Sequence, residues 1–332
     1  MFLQVGGGGS DGWECLIQDF ASSAHLSPTI LSIINNRRKR PSVLIEDLLA
    51  RDPSIYRLTP LDVAKECYLF LRLDKKATRL LGPFYKPLTT RIDLDLTYNC
   101  NLRCPSCCRS CSQAPADEFL SPSQVKKFIA ESIRVNRKWK RIDLIGGEPT
   151  IHPDFMEILD LIHSYKMDHS PTTAIWLRSN GHGERYKEIV NKMPPDVIVE
   201  HQPKTMDYFR KSYYAFNVAP IDLPALNRLD PENGCYVTST CGIALNRYGY
   251  YACGNGAGID RVFGFNLGRK KLPPASDEMR DQMRILCRYC GAFHSCFMRI
   301  NIGRPADNFA ISPSWKITYE KYRQAHPPLT LY

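Results

Sequence analysis

The sequence predicts an α/β fold: a parallel sheet with helical crossovers, preceded by a mainly helical segment and followed by a small cysteine-rich domain. Three observations carry this. From Arg91 onward a strand, loop, helix pattern repeats, which favours parallel pairing with right-handed connections. The predicted strands end in loops of Cys, Gly, Ser and Asn, at the edge where parallel sheets carry chemistry. Eleven of the thirteen cysteines fall into three groups, the first in the opening strand's loop and the other two beyond residue 234.

The strands are expected at Arg91 to Thr97, Arg141 to Ile145, Ala174 to Arg178, Asp196 to His201 and Ala215 to Ile221. Ser121, Pro122, Ser123 and Gln124 form a capping box with proline at the first helical position. Val125, Phe128, Ile129 and Ile133 then share one helical face, and Phe155, Ile158, Leu159 and Ile162 do so in the next unit. After Gly234 a hairpin is expected, with Ile243 to Leu245 and Tyr250 to Ala252 flanking the turn from Asn246 to Gly249. Residues 11–88 read as helical, with apolar repeats at Val43 to Leu49 and Leu61 to Leu73 broken by Pro41, Pro53 and Pro60. That segment is expected to cap the sheet, with substrate recognition as the alternative. The domain reading is therefore 1–10 linker, 11–88 helical, 89–233 barrel and 234–332 cysteine-rich.

At 332 residues the chain can bury one large core or two smaller ones. No stretch approaches the roughly 18 apolar residues of a membrane span, so no membrane partner is expected. Met1 to Val5 run straight into Gly6 to Ser10, a linker or tag-like sequence without the parts of an export signal, and a cytoplasmic location is expected. In such a compartment clustered cysteines point to metal rather than to disulfides. The net charge of +10 suits acidic ligands; nucleic acid is not an expected partner, and the Arg37 to Arg40 patch reads as solvated surface.

Cys100, Cys104 and Cys107 are spaced C-x3-C-x2-C on the loop leaving the first strand. Soft thiolates at this spacing can wrap one iron–sulfur cubane, and three ligands leave one iron open. Zinc and a ferredoxin-like cluster are the alternatives, and Cys108 and Cys111 read as free thiols. Gly146, Gly147, Glu148 and Pro149 follow the second strand, where absent side chains let backbone approach a ligand.

Together these two motifs identify the chain as resembling the radical S-adenosylmethionine (SAM) superfamily, over about residues 91–225. The resemblance implies a partial (β/α)6 barrel and a SAM-binding [4Fe–4S] cluster on Cys100, Cys104 and Cys107. It further implies a 5′-deoxyadenosyl radical that takes a substrate hydrogen. Gly146 to Pro149 would bind the methionine amino group through backbone and Glu148. Ser179 and Asn180, after Arg178, match the place where the family contacts the SAM carboxylate and ribose, though a turn explains them equally well. Asn217 to Ala219 would lie near adenine. One departure is Ser106, where the family usually has an aromatic residue.

Cys235, Cys241, Cys253, Cys287, Cys290 and Cys296 resemble the SPASM and twitch extensions, which hold auxiliary iron–sulfur clusters. The pattern is shortened: Ile300 stands where a further cysteine belongs. At least one auxiliary [4Fe–4S] cluster is implied, with Cys235, Cys253, Cys287 and Cys290 in twitch order; two clusters with open sites, or a structural zinc, are the alternatives. The implied activity is oxidation, crosslinking or epimerisation of a ribosomal peptide, with electrons from a flavodoxin or ferredoxin. Alternatives are a small-molecule dehydrogenase, a sugar- or nucleoside-modifying enzyme, and, from another class, an electron-transfer protein. Glu200, His201 and Asp222 stand at strand ends as candidate proton acceptors.

Overall fold

The strands RIDLD, RIDLI and AIWLRS alternate charged or polar with apolar residues, and this alternation decides which face of the sheet meets the helices. The computed structural model describes residues 68, 71–201, 216–233, 235–292 and 311–332. Most of the helical segment expected at 11–88 lies outside them, as does Cys296. Strands β1 (Arg91–Asp95), β2 (Arg141–Ile145), β3 (Ala174–Ser179) and β4 (Val197–His201) pair in parallel, Asp93 standing opposite Asp143 and Asp143 opposite Trp176. Among the described residues the helices are α1 (Lys75–Leu81), α2 (Pro122–Arg134), α3 (Phe155–His169), α4 (Glu184–Val190), α5 (Tyr236–Thr240), α6 (Gly254–Phe263), α7 (Arg280–Leu286) and α8 (Pro313–Gln324).

Ile92, Leu94, Ile142, Leu144, Ile175 and Leu177 form the core against Val125 and Phe128 of α2 and Ile158 and Ile162 of α3. The expected capping box starts α2: Ser121 Oγ accepts from Gln124 N at 3.3 Å, and Gln124 Oε1 accepts from Ser121 N at 3.0 Å.

The other face is charged, unlike the continuous apolar strands of a parallel sheet buried on both sides. Asp143 is fully buried and accepts from Arg141 Nε at 2.8 Å and Arg178 Nε at 2.7 Å, while Arg178 also pairs with Glu200 at 3.2 Å. Arg109, from the loop after β1, pairs with Asp93 at 2.9 Å and Asp95 at 3.1 Å. Buried charges cost desolvation and persist only when paired this completely.

Two expectations change. The hairpin is present as β5 (Ile243–Asn246) and β6 (Gly249–Tyr251), but β5 pairs in parallel with β1, giving the strand order β4-β3-β2-β1-β5-β6. The chain beyond 234 thus completes the sheet. The strand expected at 215–221 is absent among the described residues: Pro220–Asp222 form a 3-10 turn, and Phe216 is buried against Trp315 instead. An apolar run of this length serves a buried loop as well as a strand. The result is an α/β fold with a mainly parallel sheet, consistent with a partial barrel.

Candidate active site

The glycines after β2 exist because backbone meets backbone there. A Cβ on Gly147 would lie 2.1 Å from Asn99 O, and one on Gly146, at φ +148°, would lie 2.4 Å from Thr97 O. Instead Gly147 N donates to Thr97 O at 2.7 Å and Glu148 N to Asn99 O at 2.9 Å. The turn is thereby docked on the chain entering the cysteine loop, one residue before Cys100.

Within that loop, Gln113 Nε2 donates to Cys104 O at 3.0 Å and Pro105 O at 2.7 Å, closing the turn. Leu102 N donates to Cys100 Sγ at 3.4 Å. Cys100, Cys104 and Cys107 are all partly exposed. Cys111, read from sequence as a free thiol, is buried and hydrogen-bonds Cys107, holding the Cys107 thiol below its usual range. Among the described residues no three Cys, His, Asp or Glu converge tightly enough to share one metal ion; a cubane spreads its thiolates over a larger body.

Glu148 is a hub rather than an open ligand. It is 0% exposed, Oε1 accepting from Thr150 N (3.2 Å), Thr150 Oγ1 (2.7 Å) and Ser179 Oγ (2.8 Å), and Oε2 from Asn180 N (2.8 Å). Its carboxylate therefore ties the β2 turn to the end of β3. Asn180 Nδ2 donates to Asn101 Oδ1 at 2.8 Å and approaches Cys100 Sγ at 3.9 Å. All three sheet-end motifs thus meet at one place.

The candidate proton acceptors already have protein partners. Glu200 pairs with Arg178, His201 Nε2 contacts Asn180 O at 3.0 Å, and Asp222 accepts from Ser314 N at 2.9 Å at the start of α8. Ser106 Oγ accepts from Phe216 N at 3.2 Å. Asn217 Oδ1 accepts from Tyr319 at 2.8 Å.

Four of the later thiols come together. Cys235, Cys253, Cys287 and Cys290 line one cavity with Ile259 and Leu286. Burial pushes the Cys235 thiol up to about 11 and that of Cys253 up to about 12. Burial keeps these groups as neutral thiols on their own; a metal centre between them would displace their protons, and a set of four cysteines suits a cubane. Cys241 does not line this cavity; it is half-buried beside Thr240, and burial, helped by neighbouring Asp93, pushes its thiol up.

Sequence reasoning missed what joins the two thiol groups. α6 begins with Cys253 as its N-cap, Sγ accepting from Gly256 N at 3.3 Å. Its residues 254, 258 and 261 lie on one face. A Cβ on Gly254 would lie 2.0 Å from Arg109 NH2, and one on Gly258 3.1 Å from Cys108 O. Arg261, 1% exposed, donates to Ala114 O at 2.8 Å and to Arg109 O and Ser110 O at 3.3 Å. The glycines of Gly254-Asn255-Gly256-Ala257-Gly258 directly after a cysteine were the available signal.

Residues 94–220 match the family model described as the radical SAM superfamily. The chain is 34% identical over 94 residues to a probable GTP 3′,8-cyclase of Pyrococcus horikoshii, covering 28% of this chain and 29% of that protein. Over 84 residues it is 39% identical to the mycofactocin maturase MftC of Mycobacterium tuberculosis, covering 25% and 21%. It spans less than a third of the length of these curated relatives. Among solved structures, BtrN in complex with AdoMet and 2-DOIA aligns over 61% of this chain and 89% of that one, at 12% identity and a TM-score of 0.37. With the C-x3-C-x2-C loop and the glycine turn docked on it, the family match and the two curated relatives assign residues 94–220 to a radical SAM domain, a family that works with a [4Fe–4S] cluster and SAM.

Proposed function

We propose that this enzyme oxidises or crosslinks a ribosomal peptide by hydrogen abstraction, holding one cluster on Cys100, Cys104 and Cys107 and an auxiliary [4Fe–4S] cluster on Cys235, Cys253, Cys287 and Cys290. When bound, the first cluster would supply the electron that cleaves SAM, and the auxiliary one would take the second electron of the oxidation while the proton leaves to water. The observation that carries this reading is the single cavity lined by four thiols, with α6 between it and the cysteine loop. A set of four protein ligands favours electron transfer over direct substrate binding, because no iron is left open.

The chain's own residues hold the geometry. The backbone of Gly146 to Pro149 offers polar groups beside Cys100, while Glu148 orients Ser179 and Asn180 toward the same place. Similarity to the maturase over 84 residues supports a peptide substrate. A flavodoxin or ferredoxin would supply the reductant.

The test has two parts. Anaerobically reconstituted protein should bind about eight irons per chain, four per cubane; about four removes the auxiliary cluster. Deuterium from the side chains of a labelled peptide substrate should appear in 5′-deoxyadenosine, and transfer only from a labelled nucleoside or sugar overturns the peptide assignment.

A further inference from the structure

α6 is a shared wall. One face, Gly254, Gly258 and Arg261, grips the segment from Cys108 to Ala114, while Cys253 and Ile259 line the four-thiol cavity. Asn255 crosses the wall and touches both sides. Its Oδ1 accepts from Arg109 NH1 at 3.3 Å, and its Nδ2 lies 4.0 Å from Cys290 Sγ as a donor. Asn255 is 6% exposed and Arg109 7% exposed.

The orientation of that amide is set by chemistry. Arg109 is a permanent cation with no acceptor, so it accepts no flip that would bring Nδ2 against it. Its guanidinium is fixed in turn by Asp93 and Asp95 of β1 and by the surface of Gly254. Nδ2 is therefore left facing Cys290.

We infer that Asn255 is a positioning residue that raises the reduction potential of the auxiliary cluster, donating to the Cys290 sulfur while Arg109 locks its amide. This rests on the assignment of the four thiols to a cluster. A hydrogen bond to a ligating sulfur stabilises the reduced, more negative state, and a nearby buried cation acts in the same direction. The potential at which the cluster takes an electron from the substrate is thereby coupled to the loop that carries Cys107.

The test is an anaerobic redox titration followed by electron paramagnetic resonance, in which added SAM marks the signal of the cluster on Cys100, Cys104 and Cys107. Asn255→Leu removes the donor and should lower the auxiliary potential by about 59 mV, a tenfold change in the oxidised-to-reduced ratio for one electron. The SAM-responsive cluster and an iron content of about eight per chain should be unchanged. Asn255→Asp, which keeps the shape and the Arg109 partner but replaces the donor with a charge, should lower it further and decides the matter should the Leu variant lose iron. A second cluster whose potential is unmoved in a variant that retains it overturns the inference and leaves the cluster assignment standing. About four irons in the parent protein overturns both.

Discussion

Arg109 and Gly254 meet with no room for a side chain, the missing Cβ lying 2.0 Å from the guanidinium NH2. This contact joins a residue two positions after Cys107 to one directly after Cys253. The loop proposed for the SAM cluster and the helix capped by Cys253, a proposed auxiliary ligand, are therefore one packed unit. Its geometry depends on glycine at 254, because the pinned arginine has nowhere to go.

Gly254→Ala should cost about 1–3 kcal/mol, the range for overpacking, seen as a lower denaturant midpoint under anaerobic conditions. Gly258→Ala, whose Cβ would lie 3.1 Å from its neighbours, should cost less. Equal midpoints for both variants and parent would mean that α6 is free to shift away from the loop.

Glu148→Ala should strip the acceptor from Thr150, Ser179 and Asn180 at once. With four buried donors orphaned at about 1–3 kcal/mol each, a loss of about 4 kcal/mol or more is expected, together with weaker SAM binding measured by equilibrium dialysis. Glu148→Gln, which keeps one oxygen, should fall between. A variant of parental stability would show that the carboxylate is not the tie between β2 and β3.

Cys241→Ser should leave iron content unchanged, because Cys241 lies outside the four-thiol cavity. Cys253→Ser should lower it by up to about four irons, one cubane. Loss of iron from the Cys241 variant would instead point to ligands beyond those four.

Burial, outweighing the attraction of Arg109 and reinforced by neighbouring Asp143 and Asp95, pushes the Asp93 carboxyl up to about 7 from its ordinary 3.8. A carboxyl raised on folding keeps its proton in the native state while the unfolded chain loses it, so stability falls as pH rises between those values and levels off above. Urea midpoints should decline over that window, and Asp93→Asn should flatten the decline. A slope unchanged by the substitution would assign it to other groups.

Much of this was legible because the signals are local. The alternation in RIDLD and RIDLI marks strands with one apolar face; β2 forms where expected, and β1 starts at Arg91 as expected but ends at Asp95 rather than Thr97. The Ser121 and Gln124 capping box forms as its four-residue spacing demands. By contrast, the apolar residues at 216–219 resemble a strand yet pack into a loop against Trp315, since local hydrophobicity does not distinguish the two.

The sequence by itself determined the three-cysteine loop, the glycine turn and the places of the first four strands along the chain, all properties of neighbouring residues. Only the tertiary structure decided that Glu148 is an internal tie, that Cys241 stands apart from Cys253, and that Arg109 reaches Asn255, 146 positions away. The physical reason is that buried charges and backbone contacts must be satisfied by whatever the fold brings beside them, and spacing along the chain carries no record of that partner.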